Sequence, residues 1–359
     1  MVRIYFRRIY KDFAQHVLDV PSRLLALLCF PLLLLFPLTQ TKVYPLLIMT
    51  VATSMAIFAS SWDLLVGRTG QMSLGHALFF GIGAYTTAFL TKFYGLPIVV
   101  TIPLGMLTAT LAAVLVGFPS LRVKGPYLAL VSMAFPLIGT GLVFYFRDVT
   151  GGEKGIWGLP QFFPGYGRFE QRVGEYYLAL ILLLISAIIV YKVANSKTGI
   201  VLVSILDDEL ASKACGINVV KYKLMAFAIS ALFAGLAGGF YAHLMRVANY
   251  DTLGLSLSFM PVILTILGGL GTIYGPIVGS YMYYVVGTFI LDEMLSIPSQ
   301  WHILFFLVVV ILFVLKWPRG IARFVTDKLQ DLSEEREIEQ RGPHIWKKYR
   351  RKKESTSEG

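Results

Sequence analysis

Ten stretches of this chain run almost unbroken in Leu, Ile, Val, Ala, Phe and Gly: 24–39, 44–66, 72–91, 97–117, 127–146, 176–194, 224–245, 259–273, 276–292 and 301–317. About 20 apolar helical residues cross the roughly 30 Å of hydrocarbon in a bilayer, where every backbone amide must find its partner inside the protein. Continuous runs of that length point to an all-α polytopic membrane protein with about 8–10 transmembrane helices. A transmembrane barrel would instead alternate apolar and polar residues over shorter segments. A soluble domain of 359 residues rarely joins 56% hydrophobic to 15% charged residues. The stretch 259–292 is the exception among the runs, because Gly268-Gly269-Leu270-Gly271-Thr272-Ile273-Tyr274-Gly275-Pro276 interrupts it. Gly and Pro at that density imply a broken or re-entrant helix pair. Ten spans, or eight spans and a re-entrant hairpin, both leave the two termini on the same side.

The loops orient the bundle. Arg68, then Arg122 with Lys124, then Lys197, Lys213, Lys221 and Lys223 occupy alternate loops, on the same side as Arg3, Arg7, Arg8 and Lys11 if six spans precede residue 195. Positive loops are retained in the cytosol, so both termini are expected there. The expected organisation is a basic N-terminus 1–23, a membrane domain 24–317 with an outer loop 147–175 and a cytosolic loop 195–223, and a charged tail 318–359. Twelve of the 32 basic residues fall in the last 44 positions. The net charge of +11 therefore reflects loops and tail, and no nucleic-acid partner is expected. The tail turns from acidic (Asp327 to Glu339) to the basic cluster Lys347–Lys353, suited to a solvated segment resting on anionic lipid. No small-residue cleavage site follows the first apolar run, so it reads as an uncleaved anchor. Cys29 and Cys215 are not expected to form a disulfide.

Four constellations stand out. Gln71, Ser73 and His76 are polar groups at the start of a span among Gly75, Gly81 and Gly83. Such groups are costly in hydrocarbon, so they either line a polar substrate path or bond a neighbouring helix. Thr150, Gly151, Gly152 and Gly158 shape an outer-loop turn that caps the bundle or receives a delivery partner. Gly235 and Gly239, and Gly271, Gly275 and Gly279, recur every four residues and let helices approach closely. The charged segment 204–216 reads as a short amphipathic helix. Ser204 would cap it with Asp207 three residues on, and Asp207, Asp208 and Glu209 suit its positive end. Leu206, Leu210 and Ala214 would share one face, and Gly216 would stop it. A capped helix in a cytosolic loop suits a partner that supplies energy.

No GxxxxGK(S/T) loop, HExxH or CxxC occurs, and five scattered histidines make no metal site. Neither a cofactor nor an ATPase centre of its own is expected. Asp63 is the main carboxylate within a span, which tilts against an ion-coupled carrier.

The segment Gly70–Tyr85 resembles the GQxSLGHAxFFGIGAY stretch of branched-chain amino acid ABC transporter permeases of the LivM type. Thr150-Gly151-Gly152 through Gly158-Leu159-Pro160 is similar to that family's outer TGG…G…P loop, 207–223 to its coupling loop, and Leu267–Gly279 to its LGGLGT…GPxxG pattern. The resemblance implies a multi-pass subunit of the cell membrane that translocates hydrophobic amino acids. It also implies a second permease, two cytosolic ATP-binding cassette subunits and an extracytoplasmic binding protein as partners, with Asp207–Gly216 docked on the ATPase. Related permeases carry urea or short-chain amides, so that cargo is the alternative.

Overall fold

A computed structural model describes residues 31–121, 123, 126–272 and 274–287, with isolated positions 308 and 311. The arginines and lysines of the N-terminus, Cys29, Arg122, Lys124, most of the span 301–317 and the tail from Lys316 lie outside them. Ten helices carry the described fold: α1 (Val43–Thr69), α2 (Ala77–Tyr94), α3 (Ile98–Ser120), α4 (Pro126–Tyr145), α5 (Arg168–Ala194), α6 (Lys197–Asp207), α7 (Glu209–Ala214), α8 (Val219–Met245), α9 (Leu255–Gly268) and α10 (Gly275–Tyr284). Further helical segments occupy 31–39 and Arg147–Thr150. Among the described residues the only sheet is the two-residue pair β1 (Ile156–Trp157) and β2 (Val247–Ala248). The protein is an all-α polytopic membrane protein. Five of the described helices (α1, α3, α4, α5 and α8) are long and apolar enough to cross a bilayer.

Burial separates centre from periphery. The most apolar window of α1 is 78% buried and that of α8 67%, against 22% for α3. α1 packs on α5, α8, α9 and α10, while α8 packs on α1, α2 and α3. Leu107, Leu111 and Leu115 of α3 are exposed, as the lipid-facing side of a peripheral helix should be.

Glycine sets how closely the central helices approach. A β-carbon on Gly235 would lie 2.7 Å from Ala109 Cβ and 3.0 Å from the Gly105 carbonyl oxygen, and one on Gly83 would strike the Gly235 backbone. Gly239 packs against Thr87, Gly238 against the Phe80 carbonyl, and Gly81 receives the Leu253 side chain. The Gly235/Gly239 face is therefore consumed within the chain, by α2 and α3.

The described helices share two ends. Pairing of Ile156 with Ala248 and of Trp157 with Val247 joins the 146–167 loop to the segment after α8, and this is the strand end. α6 and α7 mark the opposite, helix end. α9 leaves the strand end, and α10 returns toward it, with Tyr281 bonded to Thr53 at 2.7 Å. Between them the chain turns on Gly269 (φ 121°) and Gly271 (φ 75°), and Thr272 holds the turn by donating to Gly269 O. Asp63 Oδ1 accepts from Gly271 N at 2.7 Å. A β-carbon on Gly67 would lie 2.7 Å from Gly271 Cα. The turn therefore reaches the last two turns of α1, and the hairpin crosses most of the bundle. Gly268, Gly275 and Gly279 make its interior, since a β-carbon on Gly268 would sit 3.0 Å from Gly275 Cα.

Three expectations need correction. The span drawn at 72–91 does not begin as helix: α1 ends at Gly70 (φ 67°), and α2 starts only at Ala77. The span drawn at 259–273 ends as helix at Gly268, because the glycine turn replaces its last residues. Ser204 caps nothing. It lies inside α6, and the cap of α7 is Asp208, whose Oδ1 accepts from Leu210 N at 2.8 Å and Ala211 N at 3.0 Å. One residue of extended backbone at Asp208 (φ −153°, ψ 108°) splits the charged segment into two helices.

Candidate functional site

The seven residues between α1 and α2 are the irregular heart of the bundle. Gly70 sits under Leu206 of α6, at the helix end. His76 is level with Ser61, eight residues before the end of α1, or about 12 Å into the bundle at 1.5 Å per residue. The chain therefore climbs into the membrane domain without helical pairing. Unpaired backbone is not tolerated at that depth, and other helices supply the partners. Trp62 Nε1 donates to Ser73 O (2.7 Å), Leu74 N donates to Ser132 Oγ (2.8 Å), and Ala77 N donates to Ser258 Oγ (3.1 Å). Side chains from α1, α4 and α9 thus hold one strand of backbone.

Gln71, Ser73 and His76 are all buried. Gln71 exchanges hydrogen bonds with Thr69, and Ser73 Oγ accepts from Gly75 N. His76 is fully buried, stacked on Phe58 with centroids 5.4 Å apart and edge-on to Phe79. Ser61 Oγ donates to Phe58 O, and Ser230 Oγ donates to Ser61 O, so both hydroxyls are left to accept. Both face His76 Nε2, at 2.9 and 3.3 Å. The network assigns the proton to Nε2. Nδ1 is buried without a partner.

This geometry makes His76 a clamp between α1, α2 and α8. His76→Leu removes the donor shared by two hydroxyls, a loss of about 1 kcal/mol or more. Thermal stability in detergent and transport are expected to fall together. Transport lost at an unchanged unfolding midpoint would place His76 on the substrate path instead.

At the helix end, the acids of 207–209 divide their work. Asp208 caps α7, while Glu209 accepts from Lys213 (2.8 Å) and from Lys223 at the base of α8 (2.7 Å). Asp207 and Leu210 are exposed. Gly216 (φ 80°) ends the helix, with Ile217 N donating back to Ser212 O. Ser204 and Ser212 join α6 to α7 through their hydroxyls at 3.0 Å. The hydrogen bonds from Lys213 and then Lys223 hold the Glu209 carboxyl down from 4.5 to about 2. A lowered folded value stabilises the clamp above the unfolded value, and that stability is lost as pH falls through the folded one. Hydrogen-exchange protection of 209–215, corrected for intrinsic rates, should decline between pH 4.5 and about 2. In Glu209→Gln the corrected protection should be low throughout and flat with pH.

At the strand end, Thr150 Oγ1 donates to Val143 O (2.7 Å), and Gly151, Gly152, Gly155 and Gly158 all take positive φ. Gly158 N and Leu159 N both donate to Arg246 O. Lys92 lies 5.6 Å from the centre of the exposed Trp157 ring. The turn is fastened to the end of α8. Ser61, Trp62, Ser132, Ser230 and Ser258, which hold the broken segment and its histidine, carry no local signal in the sequence. Ser132 and Ser230 are lone polar residues in apolar runs, and Ser61, Trp62 and Ser258 sit beside other polar residues that make none of these contacts.

Residues 44–315 match the family described as branched-chain amino acid transport system, permease component. The chain is similar to the high-affinity branched-chain amino acid transport system permease proteins LivM of Salmonella typhimurium and Escherichia coli. Each is 29% identical over 261 residues, which cover 66% of this chain and 61% of the relative. The chain thus spans about 61% of the length of those relatives. It is also 24% identical, over 72% of its length and 70% of the relative's, to the autoinducer 2 import system permease protein LsrC of Salmonella typhi. No solved structure matches. With the match extending from the start of α1 past α10, the chain belongs to the family of branched-chain amino acid transport system permease components.

Proposed function

We propose that this chain is one membrane-spanning half of an ATP-driven importer of branched-chain, hydrophobic amino acids in the cell membrane. It works with a second permease, two cytosolic ATP-binding cassette subunits and an extracytoplasmic binding protein that delivers the cargo. The helix end faces the cytosol, because Arg68, Lys197, Lys213, Lys221 and Lys223 gather there. The strand end faces outside, where the Thr150–Gly158 turn offers a rigid seat for the delivery protein. Asp207–Gly216 docks on the ATPase, and the chain supplies no hydrolytic centre of its own.

One contact carries the reading. Leu206, next to the capped helix, lies against Gly70, where a β-carbon would be 2.8 Å from its Cδ1. Gly70 opens the broken segment that leads to His76. A displacement of α6 and α7 by an ATPase therefore reaches the irregular backbone inside the bundle without an intervening element. The Glu209 bridge to Lys223 adds a second link, to α8. A bistable element biased from the cytosol is what a nucleotide-driven change of access needs.

Uptake of labelled leucine by cells with and without this gene tests the reading. The expected result is gene-dependent uptake that follows ATP and is suppressed by excess valine or isoleucine. Loss on collapsing the ion gradient with ATP maintained would replace the importer with a carrier. Suppression by urea, by a sugar or by autoinducer 2, and not by valine, would move the cargo to that class.

A further inference from the structure

Between the end of α8, the following loop and the first turns of α9, the strand end holds a cleft of about 510 Å³. That is the size range of small-molecule sites, roughly 300–1,000 Å³. Tyr241, Met245, Leu257 and Met260 give it aromatic and pliable apolar walls. Asn249, Thr252 and Ser256 are its neutral polar members, and Asp251 is the one charged residue lining it.

Asp251 is held in place by its neighbours. It lies in a 3-10 turn, Tyr250–Leu253, closed by Thr252 Oγ1 donating to Asn249 O (2.7 Å) and by Gly254 N donating to Asp251 O (3.0 Å). The turn is pinned from behind by Leu253, which fills the notch left by Gly81 and also lies against Gly139. One carboxylate oxygen accepts from Asn249 Nδ2 at 2.8 Å. No cation pairs with Asp251 among the described residues. Among the described residues the buried Tyr85 hydroxyl has no hydrogen-bond partner.

We infer that this cleft is a subsite for the α-ammonium group of an amino acid, with Asp251 as its counter-ion and the tyrosine and methionine walls receiving an apolar side chain. The inference rests on the import reading and deepens it. A positioned carboxylate is worth most to a ligand that brings the opposite charge. The tyrosine face adds attraction for a cation, and methionine adapts to branched side chains. Asp251 is exposed to the cleft, so an uncharged ligand would forgo the charge pair and the subsite favours amino-acid cargo.

The test uses right-side-out membrane vesicles holding the full chain with Cys29→Ser and Cys215→Ser, and Ser256→Cys as a reporter in the cleft wall. Labelling by a membrane-impermeant thiol reagent is followed with leucine, leucinamide or N-acetyl-leucine present. At a ligand concentration about four times its dissociation constant, labelling is expected to slow about five-fold. Leucine and leucinamide should protect, while N-acetyl-leucine, which lacks the ammonium, should not. Asp251→Asn keeps the bond from Asn249 and the side-chain shape, and it should weaken protection by at least about ten-fold. Asp251→Glu should recover part of it. Equal protection by N-acetyl-leucine would overturn the assignment. So would protection that needs the loaded binding protein and is absent with free leucine, which would mark a docking contact. No protection by leucine in vesicles that still take it up would overturn the subsite and leave the import reading standing. Absence of gene-dependent uptake would sink the import reading, while the protection pattern would still decide the ammonium assignment.

Discussion

Gly238→Val is expected to leave almost no folded protein in the membrane. Gly238 lies where α8 crosses α2, and an added β-carbon would strike the Phe80 carbonyl and come within 3.1 Å of Phe80 Cα. The obstacle is backbone, so no rotamer change relieves it. Overpacking that side chains can absorb costs about 1–3 kcal/mol. Here the two helices must separate, and the neighbouring contacts of Gly83, Gly235 and Gly239 are lost with them. Against a total stability of about 5–15 kcal/mol, that loss is decisive. Gly141 of α4 provides the control, because a β-carbon there meets nothing within 4 Å. Monodisperse protein after detergent extraction should be near wild type for Gly141→Val and close to absent for Gly238→Val. Equal recovery of the two variants would mean that the crossing of α8 over α2 is not the one described.

Leu210→Glu should do the opposite: keep the fold and stop transport. Leu210 is 71% exposed on α7, and the helix keeps its cap and its Glu209 clamp without it. Surface substitutions of this kind usually change stability by no more than about 0.5 kcal/mol. If α7 docks on an ATPase as proposed, a leucine buried in that interface would contribute about 1.5–3 kcal/mol. Association should therefore weaken about ten-fold to a hundred-fold, with a further penalty from a new carboxylate beside Asp207. Co-purification of the ATPase subunits and leucine uptake are the two readouts, with the unfolding midpoint as the check on folding. Wild-type uptake in Leu210→Glu would remove α7 from the coupling surface.

The membrane class, the approximate place of most spans and the glycine break after Leu267 are legible in the residues themselves. Each follows from a local rule: apolar length against bilayer thickness, and a backbone that only glycine tolerates. Positive φ at Gly216 and the extreme glycine content of 268–275 likewise mark the stops of α7 and α9. The position of the helix cap is not legible locally, because Ser204 and Asp208 are both good capping residues. The choice fell to α6, which runs through Ser204 and leaves the extended backbone to Asp208. The start of α2 is hidden for a related reason. Gln71 to His76 carries Met72 and Leu74 straight into the apolar run of α2, and its irregular path is stable only because Trp62, Ser132 and Ser258 meet it from three other helices.

Residence in a bilayer, the ends of helices and the places where they can touch closely are all written in the residues, since these depend on composition and on single-residue backbone freedom. What the polar residues of the spans are for emerges in three dimensions. Ser61 and Ser230 become acceptors for His76, Asp63 holds the α9–α10 turn, Leu206 meets Gly70, and Asp251 faces a cleft with no cation beside it among the described residues. Hydrogen bonds and charge pairs reach only a few ångströms. Their partners lie on other helices, far along the chain, and folding alone brings them together.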